Sequence, residues 1–211
     1  MDCFDTTTWK NRNYDRLQKL KQEAVSLSLH TPTIMDIGPG GIVDFLLRQL
    51  PQGRKSDWSP RQKMQRGVVR LVEGVLRRTN IFTLETSEPE EIARLFGDIN
   101  PTCIYIVDIN SKVIEAVKRI IEGKGLPYHF EYALIDVSSH QIPYRADIVI
   151  AYNVIQRTKD WKASLNNIAN SVRPGGLLSI RTGRNEKTRF LDENLHSFGR
   201  IDEGLYQKIL G

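Results

Sequence analysis

Two acids and a glycine turn carry the chemistry legible in this chain. A short apolar run, Thr33-Ile-Met-Asp-Ile37, sets Asp36 just ahead of a turn made by Gly38, Pro39, Gly40 and Gly41. A second apolar run, Ile104-Tyr-Ile-Val, ends in Asp108. A glycine turn lets backbone approach a ligand where a side chain would collide. An acid at the tip of the next strand can accept hydrogen bonds from both hydroxyls of a ribose. Together they predict a nucleoside-binding site on an α/β sheet. A pyrophosphate binder offers a helix N-terminus to negative charge, whereas Asp36 directly before the turn suits a cationic ligand. The same carboxylate can also brace the turn through backbone amides, and the two roles are compatible.

The elements that must hold these groups follow from periodicity. Trp9 to Leu29 reads as a helix with Leu17, Leu20, Ala24 and Leu27 on one side. Residues 33–37 form the first strand and 41–50 the first helix. Downstream, strand and helix alternate: 104–108, a helix over 111–122, strands at 130–135 and 146–151, a helix over 162–172, and a fifth strand at 177–181. The run Arg173-Pro-Gly-Gly176 reads as a turn before that last strand. Alternation of this kind implies a doubly wound, mostly parallel sheet with helices on both faces. The tail, with Asp202-Glu-Gly204 between two short apolar stretches, predicts an antiparallel hairpin.

One stretch is out of proportion. A compact nucleotide-binding unit needs only ~20 residues between its glycine turn and its ribose acid, and here 54–101 adds a long insertion. It is built for helices, with Ser59-Pro60 opening one by the cap-then-proline rule and Ser87 with Glu90 forming a capping box. On the 60–78 helix Lys63, Arg66, Arg70 and Arg77 share one side. That stripe would suit nucleic acid or an acidic protein, and equally the solvated face of an amphipathic helix. The chain is read as one domain, 1–211, with a helical cap at 1–32 and a helical insertion at 54–101.

The 211 residues suffice for a sizeable core, and 40% hydrophobic with 26% charged residues is an ordinary globular composition. A net charge of +5 permits an anionic partner without demanding one. No run approaches the ~18–20 apolar residues that span a bilayer, so no membrane association is expected. The N-terminus lacks the basic and apolar regions of a signal peptide. Cys3 and Cys103 are far apart and form no metal-ligand spacing. They read as free thiols in a reducing, cytoplasmic setting, and no metal is expected.

Residues 33–50 and 103–182, with the terminal hairpin, resemble the Rossmann-like (class I) S-adenosylmethionine-dependent methyltransferases. Four motifs match in order: Asp36-Ile-Gly38-Pro-Gly40-Gly41; Asp108; Leu134-Ile-Asp136-Val137 with Ile142-Pro-Tyr144; and Val172-Arg-Pro-Gly-Gly176. The resemblance implies S-adenosylmethionine as cofactor. Asp36, Gly38, Pro39 and Gly40 would then lie under its methionine part, and Asp108 would bind the ribose. Ile109 would pack on the adenine, Asp136 would accept from its amino group, and the Val137 backbone would donate to a ring nitrogen. The fourth strand, Ile148–Val154, would open onto the transfer site, where Asn153 could touch the cofactor through its backbone. The family's looser pattern often has a third glycine where this chain has Ile42.

No catalytic residue is assigned. Methyl transfer to a nucleophilic acceptor gains roughly 7–11 kcal/mol from in-line positioning alone, so a general base is not required. Asn153 is followed by Val154 and Ile155, not by the Pro-Pro-aromatic sequence of relatives that methylate amides or base amines. Tyr152 could line the pocket or simply pack, and Trp9 and Tyr14 could form a lid or pack on the core. None of His30, His129, His140 and His196 has a recognisable partner in sequence. A small-molecule acceptor is expected, for want of a separate recognition domain. The alternatives are a catalytically inactive cofactor-binding scaffold and a transferase acting on RNA or protein through the basic 54–78 segment. A nicotinamide-dependent oxidoreductase is the third class, disfavoured by Asp36 and by the lack of glycine at Val43.

Overall fold

The computed structural model describes residues 6–39, 88–181 and 191–210. In chain order these form helix α1 (Thr6–Ser26), strand β1 (Thr33–Ile37), helix α2 (Glu88–Leu95) and strand β2 (Cys103–Asp108). Helix α3 (Ser111–Lys124), strands β3 (Phe130–Leu134) and β4 (Ala146–Tyr152), and helix α4 (Trp161–Asn170) follow. Strands β5 (Val172–Arg181), β6 (Phe198–Asp202) and β7 (Leu205–Lys208) end the chain. The helices expected at 41–50 and 60–78 and the basic stripe of Lys63, Arg66, Arg70 and Arg77 lie outside the described residues.

The seven strands make one sheet in the order β3-β2-β1-β4-β5-β7-β6. The first five run parallel, and β7 joins β5 antiparallel with β6 outside it. The expected doubly wound sheet with a terminal hairpin is therefore present. The parallel strands are near-continuous apolar runs because both faces are covered. Ile34, Ile104, Ile106, Ile148 and Ile150 are buried on one face with Leu17, Leu20 and Ala24 of α1, Ile92 and Phe96 at α2, and Val117 of α3. Met35, Val107, Val149, Leu178 and Ile180 are buried on the other with Leu165 and Ile168 of α4.

Residues 88–99, the end of the expected insertion, lead into β2 as part of the core: Ile92, Ala93 and Phe96 are completely buried. Helix α1 packs on the same face and reaches the hairpin through Lys19 Nζ, which lies 2.6 Å from Asp202 Oδ2. A second ion pair, Lys21 to Asp98 at 2.6 Å, joins it to the 3₁₀ turn Gly97–Ile99 after α2. Tyr14 remains exposed and accepts a hydrogen bond from Gln18 Nε2 at 2.8 Å.

One local feature departs from expectation. Residues 173–176 do not turn the chain before β5 but bulge within it. Ala146 pairs with Val172 and Ile148 with Leu177, so three extra residues stand out on the β5 side. Gly175 takes a φ of +77°, and a Cβ on Gly176 would come 2.6 Å from the Asp147 carbonyl oxygen. Sequence patterning sees the glycines and the proline but cannot tell a bulge from a turn.

Asp147 ties this bulge to the start of β1. Its Oδ2 accepts from Thr33 N at 2.8 Å, Thr33 Oγ1 at 2.7 Å and Arg173 Nη1 at 2.9 Å. Burial pushes the carboxyl up, but the Thr33 and Arg173 donors outweigh it and hold the group below its ordinary value. Asp147→Ala is expected to cost about 2–3 kcal/mol near neutral pH, because it removes a partly buried charged acceptor from three donors. A carboxyl lowered by folding stabilises above the ordinary carboxylate range and loses that effect as pH falls through its folded value. Urea unfolding at about pH 7 and about pH 3 should therefore show the gap between variant and wild type closing in acid.

Candidate functional site

The strand order reverses at β1, which lies between β2 and β4. In open α/β sheets this is where a crevice opens beyond the carboxyl ends of the strands, and where ligands bind. Register places the candidate residues along this edge. Ile37 pairs with Val107, so the turn at Gly38 stands beside Asp108, and Asp108 pairs with Leu134, two residues before Asp136.

Gly38 has a φ of +66°, a left-handed conformation that glycine adopts freely. Its N–H donates to the Val107 carbonyl at 2.7 Å, which fixes the turn over β2. A Cβ at this position would meet Val154 Cγ2 at 2.7 Å, so the turn and the exit of β4 press directly on each other. Asp36 is buried beneath the turn, as is Pro39 after it. Gly40 and Gly41 lie outside the described residues.

Asp108 ends β2 half-buried, with Oδ1 accepting from Asn110 N at 2.7 Å. Burial pushes its carboxyl up to about 6, against the lowering effect of the Asn110 and Ile109 backbone donors. Beside it the large apolar side chain of Ile109 is 65% exposed. The two offer a carboxylate and an apolar surface side by side.

Asp136 follows β3 by two residues. Its Oδ1 accepts from Ser138 N at 2.9 Å and from Ser138 Oγ at 2.6 Å, and these bonds hold the carboxyl below its ordinary value. The loop is thus a preformed turn, with the side chain of Val137 buried in the core and its carbonyl accepting from Asn167 Nδ2 of α4 at 3.0 Å. His140, in the same loop, is exposed and shares a 3.0 Å hydrogen bond with Ser139 Oγ.

At the exit of β4, Asn153 is left-handed, with a φ of +62°, and its N–H donates to the Arg181 carbonyl at 2.8 Å. It is 6% exposed, and its Oδ1 has no hydrogen-bond partner among the described residues. A buried amide oxygen without a donor costs about 1–3 kcal/mol. Strain and an unsatisfied acceptor at one residue beside the crevice are the marks of a ligand position. Sequence had pointed to Asn153 only through its backbone. Tyr152, by contrast, is packed away: its hydroxyl shares a 2.8 Å hydrogen bond with Ser179 Oγ inside the core.

The sheet order, the left-handed glycine turn and the acid at the tip of β2 now stand together, and residues 90–178 match the family described as a methyltransferase domain. Over those residues the chain resembles a methyltransferase domain. Among solved structures, the N-methyltransferase NodS from Bradyrhizobium japonicum WM9 is similar at 12% identity with a TM-score of 0.53, over 98% of this chain and 99% of that one. An S-adenosylmethionine-dependent methyltransferase from Clostridium acetobutylicum ATCC 824 is similar at 11% identity and a TM-score of 0.47, over 83% of this chain. Coclaurine N-methyltransferase, bound to N-methylheliamine and S-adenosylhomocysteine, gives 13% identity and a TM-score of 0.43 over 78% of this chain. This chain spans 52% and 35% of those two structures. No curated protein matches the sequence. No helix among the described residues is long and apolar enough to cross a membrane.

Proposed function

We propose that this chain is a methyltransferase that binds S-adenosylmethionine at the β1–β2–β4 edge and transfers its methyl group to a small-molecule acceptor. The observation that carries the reading is Asp108 with Ile109 at the tip of β2, next to the left-handed Gly38 turn. The residues fit the cofactor. Asp108 offers oxygen acceptors to ribose hydroxyls, Ile109 an apolar surface for a base, and Asn153 a buried oxygen that lacks a donor among the described residues. Asp36 supplies negative charge beneath the turn, the sense required by a ligand carrying ammonium and sulfonium groups. When bound, S-adenosylmethionine supplies an electrophilic methyl group and a neutral thioether leaving group.

The chain's own contribution is then positional. The Gly38 turn and the Ser138-braced Asp136 loop are fixed by hydrogen bonds before any ligand arrives. Preorganisation of this kind lets in-line placement of donor and acceptor lower the barrier by roughly 7–11 kcal/mol. Asp108 must be ionised to accept from two hydroxyls, and its carboxyl sits at about 6. Cofactor affinity is therefore expected to be constant above about pH 7 and to fall toward tenfold per pH unit below about 6, with Asp108→Asn flattening the profile. Calorimetric Kd values across that range check this.

The reaction itself is tested by incubating the full chain with methyl-labelled S-adenosylmethionine and, separately, pools of small amines and phenols, RNA, and protein. Label in the small-molecule fraction is the expected result. Label confined to RNA or protein would overturn the choice of acceptor. Donor binding with no label in any fraction would favour a scaffold that has kept the site without the reaction.

A further inference from the structure

The opposite end of the sheet carries a second constellation. Cys103 opens β2, His129 immediately precedes β3, and Glu131 is the second residue of β3. Parallel pairing of Ile104 with Phe130 and Tyr105 with Glu131 sets Cys103, Tyr105, His129 and Glu131 on one face of neighbouring strands. The Ile104 N–H donates to the His129 carbonyl at 2.9 Å, so the backbone beside the histidine is fixed. One ligand atom from each of Cys103, His129 and Glu131 lies within 4.8 Å of the other two. His129 Nε2 and Glu131 Oε1 are 3.2 Å apart.

We propose that Cys103, His129 and Glu131 form a binding site for a zinc-class transition-metal ion, separate from the methyl-transfer edge. Thiolate, imidazole and carboxylate are the three ligand types that zinc takes, at about 2.0–2.3 Å. In a tetrahedron those bond lengths put donor atoms about 3.3–3.7 Å apart. The imidazole and carboxylate are already close to that spacing, and the sulfur lies within 4.8 Å of both. A thiolate with an imidazole selects against magnesium and calcium, which take oxygen. Three protein ligands leave a fourth position for water.

The surroundings fit a site and not a packed core. Cys103 is buried, but the His129 side chain is 65% exposed and that of Glu131 42%, which gives an ion a path in. The β3–β4 connection contains no helix. What packs there is Tyr144, stacked on Tyr105 at a centroid distance of 4.8 Å, and the Tyr105 side chain hydrogen-bonds Cys103. A ligand held by a neighbouring group of this kind is oriented in advance. Bound metal would clip edge strand β3 to β2 at the end remote from Asp108 and Asp136, so its effect is on stability and not on chemistry. The site was invisible in the linear sequence because its members come from two strands joined through α3, with none of the short Cys/His spacings that betray a metal motif.

The test uses the untagged full chain, stripped with chelator and titrated with Co²⁺ while its absorption is recorded. One equivalent should bind and give a thiolate-to-cobalt charge-transfer band with tetrahedral ligand-field bands, and Zn²⁺ should displace it and raise Tm. Cys3→Ser should leave the spectrum intact, since the chain has only two cysteines. Cys103→Ser should abolish the charge-transfer band, and His129→Ala, an exposed position that does not threaten folding, should weaken binding at least tenfold. Absence of the band at saturating Co²⁺, a band that follows Cys3, or undiminished binding by His129→Ala would each overturn the proposal. None of these outcomes depends on the methyl donor.

Discussion

Asp108→Ala is expected to weaken S-adenosylhomocysteine binding at least a hundredfold while leaving the protein folded. A carboxylate accepting from two ribose hydroxyls makes two charge-assisted hydrogen bonds, each worth roughly 1.5–3 kcal/mol. Their loss exceeds the ~2.7 kcal/mol that corresponds to a factor of one hundred. Stability should respond in a different way. The carboxyl is raised to about 6 by burial, so the folded protein holds its proton more tightly than the unfolded chain does. Between the ordinary carboxylate range and about pH 6, stability therefore falls as pH rises, and removing the group relieves that loss at neutral pH. Against this stands the lost acceptor for Asn110 N, worth about 1 kcal/mol. The net change in Tm should be small, so a large loss of binding cannot be blamed on unfolding. Asp108→Asn keeps an oxygen for Asn110 but not the charge, and should fall between the two. An alanine variant that binds like wild type would remove Asp108 from the site.

Gly204→Ala should cost the fold about 3 kcal/mol. Gly204 turns the β6–β7 hairpin at a φ of +72°, where an L side chain is strained by ~1–2 kcal/mol. Its added Cβ would also collide with the Ile180 carbonyl oxygen, which is backbone and cannot rotate away. The same contact is held by the Ile180 N–H, which donates to the Gly204 carbonyl at 2.8 Å. Overpacking against a fixed atom adds about 1–3 kcal/mol. For a chain of this size the total corresponds to a fall in Tm of roughly 6–12 °C. Gly123→Ala makes the natural control: it lies in α3 with open space around it and should be neutral or gain up to about 0.5 kcal/mol. A Gly204 variant as stable as wild type would mean that the hairpin turn does not dock against β5.

The parallel strands were legible because each is a short apolar run between turn signals, and burial on both faces leaves that pattern unbroken. Glycine spacing after a short apolar run marked the turn at Gly38, and the acid at Asp108 could be assigned from its strand even across a long insertion. What sequence could not show depends on contacts between distant segments. The bulge at 173–176 is defined only against Asp147 on the neighbouring strand. The pairing of Tyr152 with Ser179, and the unsatisfied oxygen of Asn153, likewise exist only once β4 and β5 are aligned. Residues 88–99 fall within the expected insertion, and the burial of Ile92 and Phe96 in the layer that covers β2 exists only in the folded chain.

The most direct measurement is a calorimetric titration of the full chain with S-adenosylhomocysteine, and in parallel with NAD⁺. Saturable one-to-one binding of the former, with no heat from NAD⁺, is the expected result. Binding of NAD⁺ without S-adenosylhomocysteine would contradict the assignment of the β1–β2–β4 edge to a methyl donor.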